Sequence, residues 1–304
     1  MNYEQASALL AASCGADIDN MCRGVNLDSV RLKECLRRNG DSVSPKCVAD
    51  YPRAIGAIEQ RVTARGMLSK LCNWEMNHLC SQTKPDPVKG LQCLIEQTKR
   101  VTPNCGKAIA AAGASLIDQL VGADNEVDID LAALKNKAAE RIQTRADIQA
   151  QRRPPIAPQL DKLPHFDFEV MFDPDASLVR PQSYQMIGRI ADAMSDPKLL
   201  PYAFLIVDHV ESLPNGNRKE NLALSQRRAE SIRLVLANTF KISGKRLFAL
   251  GLGEEQLRDT ARPAAPANAR AQIIAIGKRP DETPAAPAAA AAKKNTAAKK
   301  KRSN

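Results

Sequence analysis

Eight cysteines spaced in two identical series are the strongest constraint in this sequence. The first series is Cys14, Cys22, Cys35 and Cys47, and the second is Cys72, Cys80, Cys93 and Cys105. All three steps between successive cysteines are the same in both series, so each cysteine of the second follows its counterpart at a constant offset. Three matching steps at one offset indicate an internal duplication, which predicts two copies of one unit at residues 6–57 and 63–115.

An even number of clustered cysteines predicts disulfide bonds and therefore an oxidising compartment. Such a short unit buries little apolar surface, so it needs covalent staples to be stable. Three pairings are possible within each unit. We favour the nested one, in which the first cysteine pairs with the fourth and the second with the third, because it joins two antiparallel helical segments.

Metal binding is the alternative use of these cysteines. Structural zinc sites usually take a pair of ligands from a Cys-x2–4-Cys turn. The gaps here are much longer, and His78 is the only histidine near them. We therefore expect neither a metal nor another cofactor.

Each unit is predicted to consist of a few short helices. Val43-Ser44-Pro45-Lys46-Cys47 recurs at the offset of the cysteines as Val101-Thr102-Pro103-Asn104-Cys105. Ser or Thr before Pro suits a helix N-cap followed by the first helical position, so a helix should begin at each proline. Four further segments have helical composition: Ala6–Met21, Leu32–Arg38, Thr63–Leu79 and Gly90–Thr98.

The paired units resemble the cysteine-rich repeat of the Golgi cysteine-rich receptor family. The resemblance rests on Cys-x7-Cys, on Cys followed by Leu at Leu36 and Leu94, and on the Ser/Thr-Pro-x-Cys motif. It implies a disulfide-stapled helical fold and leaves the activity open. We expect the repeats to present a surface to a protein partner that the sequence does not identify.

Residues 116–160 are predicted to be a helical and proline-rich linker. Leu131, Leu134, Ala138 and Ile142 follow one another at helical spacing with basic residues between them. We favour a solvated connecting helix over a helix that packs on the repeats or on a partner. The proline-rich run at 152–158 then predicts a stiff, extended boundary.

Residues 161–278 alternate between predicted strands and helices. The strands are expected at Phe168–Phe172, Ala203–Val207, Arg246–Leu250 and Ala271–Ile276, and the helices at Pro181–Met194 and Arg218–Ala237. The continuous apolar run of the second strand is typical of a strand that is buried on both faces. The chain is thus predicted to have two parts, an all-α part made of stapled repeats and an α+β part, which is an α/β sandwich with a mixed sheet.

This second part resembles the OmpA-like domain. The stretch Asn221-Leu222-Ala223-Leu224-Ser225-Gln226-Arg227-Arg228-Ala229 is similar to the signature Asn-x-x-Leu-Ser-x-x-Arg-Ala. The turn at Gly251–Glu254 and the stretch Asn268-Ala269-Arg270 also match, as does Phe172 at the start. The resemblance implies a non-catalytic module that binds the diaminopimelate of the peptidoglycan stem peptide.

The resemblance also implies the binding residues. Arg228 would meet a ligand carboxylate, and an acidic residue within Asp208–Glu211 would meet the ligand ammonium. A guanidinium suits a carboxylate because it donates two parallel hydrogen bonds. Glu211 is the candidate anion and Asp208 the alternative, while Asn221 and Arg270 complete the predicted set. Val210 stands where the family has Thr, Glu211 where it has Asp, and Ala269 where it has Arg, so the geometry stays open.

His209 is interpreted as a local hydrogen-bonding residue, because no catalytic group accompanies it in the sequence. No combination of residues suggests a catalytic site, and we expect no enzymatic activity.

The charge of the chain is concentrated at its end. The net charge is +10, and residues 278–304 contribute eight basic and two acidic residues to it. We expect 279–304 to be a disordered basic tail rich in Ala, Pro and Lys. It contains no aromatic residue for stacking on bases, which argues against nucleic acid. No apolar run approaches the length of about 18 residues that a membrane-spanning helix needs.

These features predict a protein of the Gram-negative periplasm, associated with the cell wall or outer membrane. We expect a secretory signal upstream of Met1, because the sequence as given opens without one. The alternative is a cytoplasmic or nucleic-acid-associated protein with reduced cysteines and a basic tail.

Overall fold

The computed structural model describes residues 1–81, 93–94, 97, 100–112, 129–144, 154–173, 177–196, 199–212 and 216–278. The basic tail and most of the predicted helix at Gly90–Thr98 lie outside these residues. The helices are α1 Tyr3–Met21, α2 Ser29–Arg38, α3 Pro45–Leu71, α4 Asn73–His78, α5 Pro103–Ala112, α6 Leu131–Thr144, α7 Tyr184–Met194 and α8 Arg218–Asn238. The strands are β1 His165–Phe168, β2 Tyr202–His209, β3 Leu247–Gly253 and β4 Arg270–Lys278.

The disulfides of both repeats follow the nested arrangement. The pairs are Cys14–Cys47 and Cys22–Cys35 in the first repeat, and Cys72–Cys105 and Cys80–Cys93 in the second. The long helix α3 joins the repeats, because it contains Cys47, the last cysteine of the first repeat, and ends at Leu71, just before Cys72 of the second. In the chain-entropy model, a bridge that closes a loop of this size stabilises a fold by about 3–4 kcal/mol.

One polar contact recurs at equivalent positions of the two repeats. In the first, the backbone N and Oγ of Ser44 donate to Asp17 Oδ2 at 3.2 and 2.6 Å. In the second, the backbone N and Oγ1 of Thr102 donate to Glu75 Oε1 at 3.0 and 2.6 Å. Helices α3 and α5 begin at the proline after these residues, which confirms the predicted helix starts.

The C-terminal part is built on a four-stranded mixed sheet of order β1-β4-β2-β3. Strands β2 and β3 are parallel, whereas β4 runs antiparallel to both β1 and β2. Every residue of β2 is buried, as its continuous apolar run predicts. The mixed sheet with helices against it confirms the predicted fold class.

The first repeat packs directly on the C-terminal part. Helix α1 lies against α7, and at their crossing a Cβ on Gly188 would come within 2.6 Å of both Tyr3 O and Ser7 Oγ. The rings of Tyr3 and Phe240 pack in an edge-on arrangement, with 5.0 Å between their centroids. Apolar residues of the first repeat and of the sheet face that carries α7 and α8 therefore form one continuous core. No pattern in the sequence indicated this packing.

Helix α6 covers the other face of the sheet. Leu134 and Ala138 are buried in an apolar cluster that also contains Leu205 of β2, Leu250 of β3 and residues 156–160, and the helix contacts β3 and α8. The prediction of a solvated connecting helix is therefore wrong for α6, because its apolar stripe finds a partner in the sheet. The domain boundaries assigned from the sequence remain predictions. Among the described residues no helix combines the length and the apolar character needed to cross a membrane.

Candidate functional site

The predicted ligand-binding residues meet where β2 ends. Asp208 and His209 are the last residues of β2, and His209 pairs with Arg270, the first residue of β4. Arg228 lies on α8, which packs on β3 beside this strand end. Glu211 follows two residues after the strand. The fold thus brings an acidic group and two guanidiniums together from three separate stretches of the chain.

Asp208 is a buried carboxyl group. It is 1% exposed, and its Oδ2 atom has no hydrogen-bond partner among the described residues. Burial raises the pKa of Asp208 well above its usual range, while the charges of Arg228 and Arg270 oppose the rise and that of Glu211 adds to it. The carboxyl therefore lies in a predominantly cationic environment, and its ionisation depends on the charges that surround it.

Arg228 is held by an aromatic ring. Its guanidinium carbon lies 4.8 Å from the centroid of the Phe172 ring, a cation–π contact. The Nε atom is buried and has no hydrogen-bond partner among the residues described, while the side chain as a whole is partly exposed. Arg227, next to it on the helix, is exposed. Of the two arginines in the signature, the second is the one directed into the site.

The other polar residues of the signature fix helix α8 on strand β3. Asn221 Nδ2 donates to Glu254 Oε2 at 2.7 Å, and Ser225 Oγ accepts from the backbone N of Gly253 at 2.8 Å. A Cβ at Gly251 would lie 2.1 Å from a backbone nitrogen of α8, so only glycine permits this approach. The amide nitrogen of Asn221 is thus bonded inside the protein, and this bond attaches the helix that carries Arg228 to the residue that follows β3.

Arg270 and Glu211 differ in how far they are exposed. Arg270 is 8% exposed, its terminal nitrogens donate to backbone carbonyls of Asn268 and Gln256 at 3.4 Å, and Nε lies 4.0 Å from Asp167 Oδ2. Burial lowers the pKa of Arg270 from its ordinary value. Glu211 is partly exposed. It is the more accessible of the two acidic candidates.

His209 belongs to a chain of hydrogen bonds across the sheet. Its Nε2 atom lies 2.8 Å from Gln272 Oε1, and Gln272 Nε2 donates to Asp167 Oδ1 at 2.8 Å. Burial lowers the pKa of His209 to about 3, with the positive charge of Arg270 acting in the same direction. The ring is therefore neutral at physiological pH, which agrees with its interpretation as a local hydrogen-bonding residue.

The depressed pKa of His209 makes stability depend on pH. Below pH 6.5 the unfolded chain binds a proton at this ring, whereas the folded protein does so only near pH 3. Stability should therefore fall by about 1.4 kcal/mol per pH unit as the pH is lowered between these values. His209→Gln should lose less stability than the wild type between pH 6.5 and 4.5 in urea titrations. Identical losses in the two proteins would contradict the neutral, buried ring.

Comparison with known proteins assigns this part of the chain to a family. The family model described as "OmpA family" matches residues 171–272. Residues 171–272 form an OmpA-family domain. Asp208, Glu211, Asn221, Arg228 and Arg270 all lie within it. The repeats lie outside the match, and their four disulfides are compatible with cysteine-rich repeats.

The similar proteins and structures each match part of this chain. Outer membrane porin F of Pseudomonas aeruginosa is 36% identical over 123 residues, which are 40% of this chain and 32% of the porin, so this chain spans about a third of that relative's length. The OmpA-like domain of FopA1 from Francisella tularensis is 14% identical, with a TM-score of 0.32 over 38% of this chain and 73% of that domain. The cell wall anchor of the T6SS from Pseudomonas aeruginosa is 22% identical, with a TM-score of 0.32 over 49% of this chain and 97% of that one.

Two features around the candidate site were not predicted from the sequence. Phe172 was matched as a family position, but its contact with Arg228 was not anticipated. The hydrogen bonds that connect Asp167, Gln272 and His209 could not be identified from the sequence, since the three residues come from three different strands. Among the described residues, no group of three or more His, Cys, Asp or Glu side chains could hold a metal ion.

Proposed function

We propose that this protein binds peptidoglycan in the Gram-negative cell envelope by holding a diaminopimelate residue of the stem peptide in its OmpA-family domain, without catalysing a reaction. The observation that carries the proposal is the end of β2, where Asp208 Oδ2 and Arg228 Nε are both buried without hydrogen-bond partners among the described residues. Buried polar atoms of this kind are costly, and a ligand that supplies their partners would offset the cost.

The free end of diaminopimelate is a zwitterion, with an ammonium and a carboxylate on one carbon. Arg228 is the group for the carboxylate, because the Phe172 ring restrains the guanidinium plane while the side chain stays partly exposed. Arg270 adds a second positive charge nearby. A planar, restrained guanidinium donates two hydrogen bonds with little loss of side-chain freedom.

The ammonium of the ligand needs an anionic partner on the side away from Arg228. Glu211 serves this purpose in the proposal, because it is the accessible carboxylate beside the site. Asp208 is the alternative, since a bound ammonium would favour the ionised form of that buried carboxyl. Asn221 contributes by fixing α8 through Glu254.

The position of the repeats suggests a second role, in binding a protein. The first repeat is bound along α1 to the OmpA-family domain, so the surface available to a partner is its opposite side together with the second repeat. All eight cysteines form disulfides, which favours a periplasmic location over a cytoplasmic protein with reduced thiols.

Sedimentation with purified sacculi tests the proposal. The full chain should be used, because α1 and α6 cover the two faces of the sheet. The protein should co-sediment with diaminopimelate-type sacculi, and deletion of residues 279–304 should leave most of the binding intact. If binding disappears only when the tail is removed, the interaction is adsorption of a basic segment to an anionic polymer and the proposal is wrong.

A further inference from the structure

The first repeat contacts the segment that leads into helix α7. A Cβ at Gly15 of α1 would lie 3.3 Å from Pro181 Cβ, so the two backbones approach closely. One turn further along α1, Asp19 Oδ2 forms an ion pair with Arg180 at 3.2 Å and accepts a hydrogen bond from Gln182 Nε2 at 3.0 Å. The side chains of Arg180 and Asp19 are 29% and 21% exposed. Asp19 thus binds two polar side chains that flank Pro181 of the OmpA-family domain.

Arg180 lies at the end of a short antiparallel pairing, whose two arms are residues 171–173 and 178–180. Its backbone N donates to Met171 O at 2.8 Å, and Phe172 forms a β-bridge with Val179. Met171 is held in turn by its backbone N, which donates to Ser183 Oγ at 2.8 Å. The position of Arg180 therefore determines where the arm carrying Phe172 lies.

Phe172 is the residue whose ring lies against the Arg228 guanidinium. A continuous series of contacts consequently runs from the first repeat to the ligand-binding arginine, by way of Asp19, Arg180 and Phe172. We propose that Asp19, in the cysteine-rich repeat, is a positioning residue for the binding site of the OmpA-family domain. The consequence for affinity rests on the proposed function of Arg228.

The mechanism is restraint of a long side chain before the ligand arrives. Without the Asp19 contact, the arm that carries Phe172 loses one of its attachments, and the Arg228 guanidinium gains freedom that the ligand must then remove. Ordering one flexible side chain on binding weakens affinity by about 3- to 10-fold. The folded state itself should change little, because a partly exposed ion pair contributes little to stability.

The test compares Asp19→Ala with the wild type in the full chain. Nuclear magnetic resonance of the arginine Nε–Hε groups reports the Phe172 ring current at Arg228 in the free protein. Calorimetry with a soluble diaminopimelate-containing muropeptide reports affinity. Asp19→Glu, which keeps the carboxylate, is the rescue variant. Glu34→Ala is the matched control, because Glu34 pairs only with Arg37 and Arg38 of its own helix among the described residues.

We expect Asp19→Ala to shift the Arg228 signal and to bind about 3- to 10-fold more weakly. Asp19→Glu should restore most of both properties, and Glu34→Ala should change neither. An unshifted Arg228 signal in Asp19→Ala, or an unchanged affinity, would overturn the inference. The signal is measured without ligand, so failure of the wild type to bind muropeptide would refute the proposed function and leave the structural contact to be judged separately.

Discussion

Arg228→Ala should abolish binding to sacculi while the protein remains folded. Arg228 is directed into the site from α8, and its guanidinium is the group that would pair with the ligand carboxylate. Loss of one partner from a charged, hydrogen-bonded pair costs on the order of 2–5 kcal/mol, which is enough to remove weak binding from a sedimentation assay. Arg228→Lys should also bind poorly, because an ammonium cannot form the two parallel hydrogen bonds.

Arg227→Ala is the matched control for this experiment. It removes the same charge from the adjacent residue, whose side chain is exposed. Equal losses in the two variants would show that general basicity, rather than a site, binds the sacculus. Unchanged binding in Arg228→Ala would show that the altered Asp208–Glu211 segment belongs to a domain that does not use this ligand.

Asp192→Ala should destabilise the protein more than any change on its surface. Asp192, on α7, is 2% exposed and accepts from the backbone N of Tyr3 at 3.1 Å, from that of Glu4 at 2.8 Å, and from Arg61 at 3.2 Å. A carboxylate of the OmpA-family domain thus interacts with the N-terminus of helix α1. The substitution takes the acceptor from two backbone N–H groups at the start of α1, and a buried hydrogen bond lost in this way costs on the order of 1–3 kcal/mol for each donor.

Denaturant titration of the full chain measures this effect. Glu230→Ala is the comparison, since Glu230 forms an i,i+3 pair with Arg233 on α8 and its side chain is 40% exposed. That variant should change stability by less than about 1 kcal/mol. If Asp192→Ala is no more destabilising than Glu230→Ala, the first repeat does not depend on this contact for its packing on the domain.

Local signals in the sequence predicted the repeats and three of the four strands. The first strand was expected at Phe168–Phe172 but lies at His165–Phe168, so that prediction was wrong by about three residues. The equal cysteine steps indicated the duplication, and the Ser/Thr-Pro motif located the starts of α3 and α5. The apolar run at 203–207 predicted a strand buried on both faces. These predictions depend on interactions between residues close together in the chain, or on burial alone, and so could be made without knowledge of the packing.

The packing of helices from different parts of the chain could not be predicted in this way. The apolar faces of α1 and α6 show that each helix needs a partner, but periodicity does not identify it. Gly188 and Asp192 are the signals that were missed, because they lie one turn apart on a helix that is otherwise largely apolar. The glycine permits the close crossing, and the carboxylate meets the N-terminus of α1.

The candidate site was predictable only in part. The signature directed attention to Arg228, and the structure orients that residue into the site while Arg227 faces solvent. Asn221 belongs to the same signature, yet its amide is bonded to Glu254, because part of the signature serves to fix the helix on β3. The Phe172–Arg228 contact joins residues that are far apart in the chain, and a sequence match does not show such a contact.

Calorimetry of the full chain with two soluble muropeptides tests the central claim most directly. The two ligands should differ only at the third residue of the stem peptide, which is diaminopimelate in one and lysine in the other. Lysine retains an ammonium but lacks the terminal carboxylate that would pair with Arg228. We expect saturable binding of the diaminopimelate form and at least a tenfold weaker response to the lysine form, which corresponds to about 1.4 kcal/mol. Equal affinity for the two ligands, or no binding to either, would contradict the account.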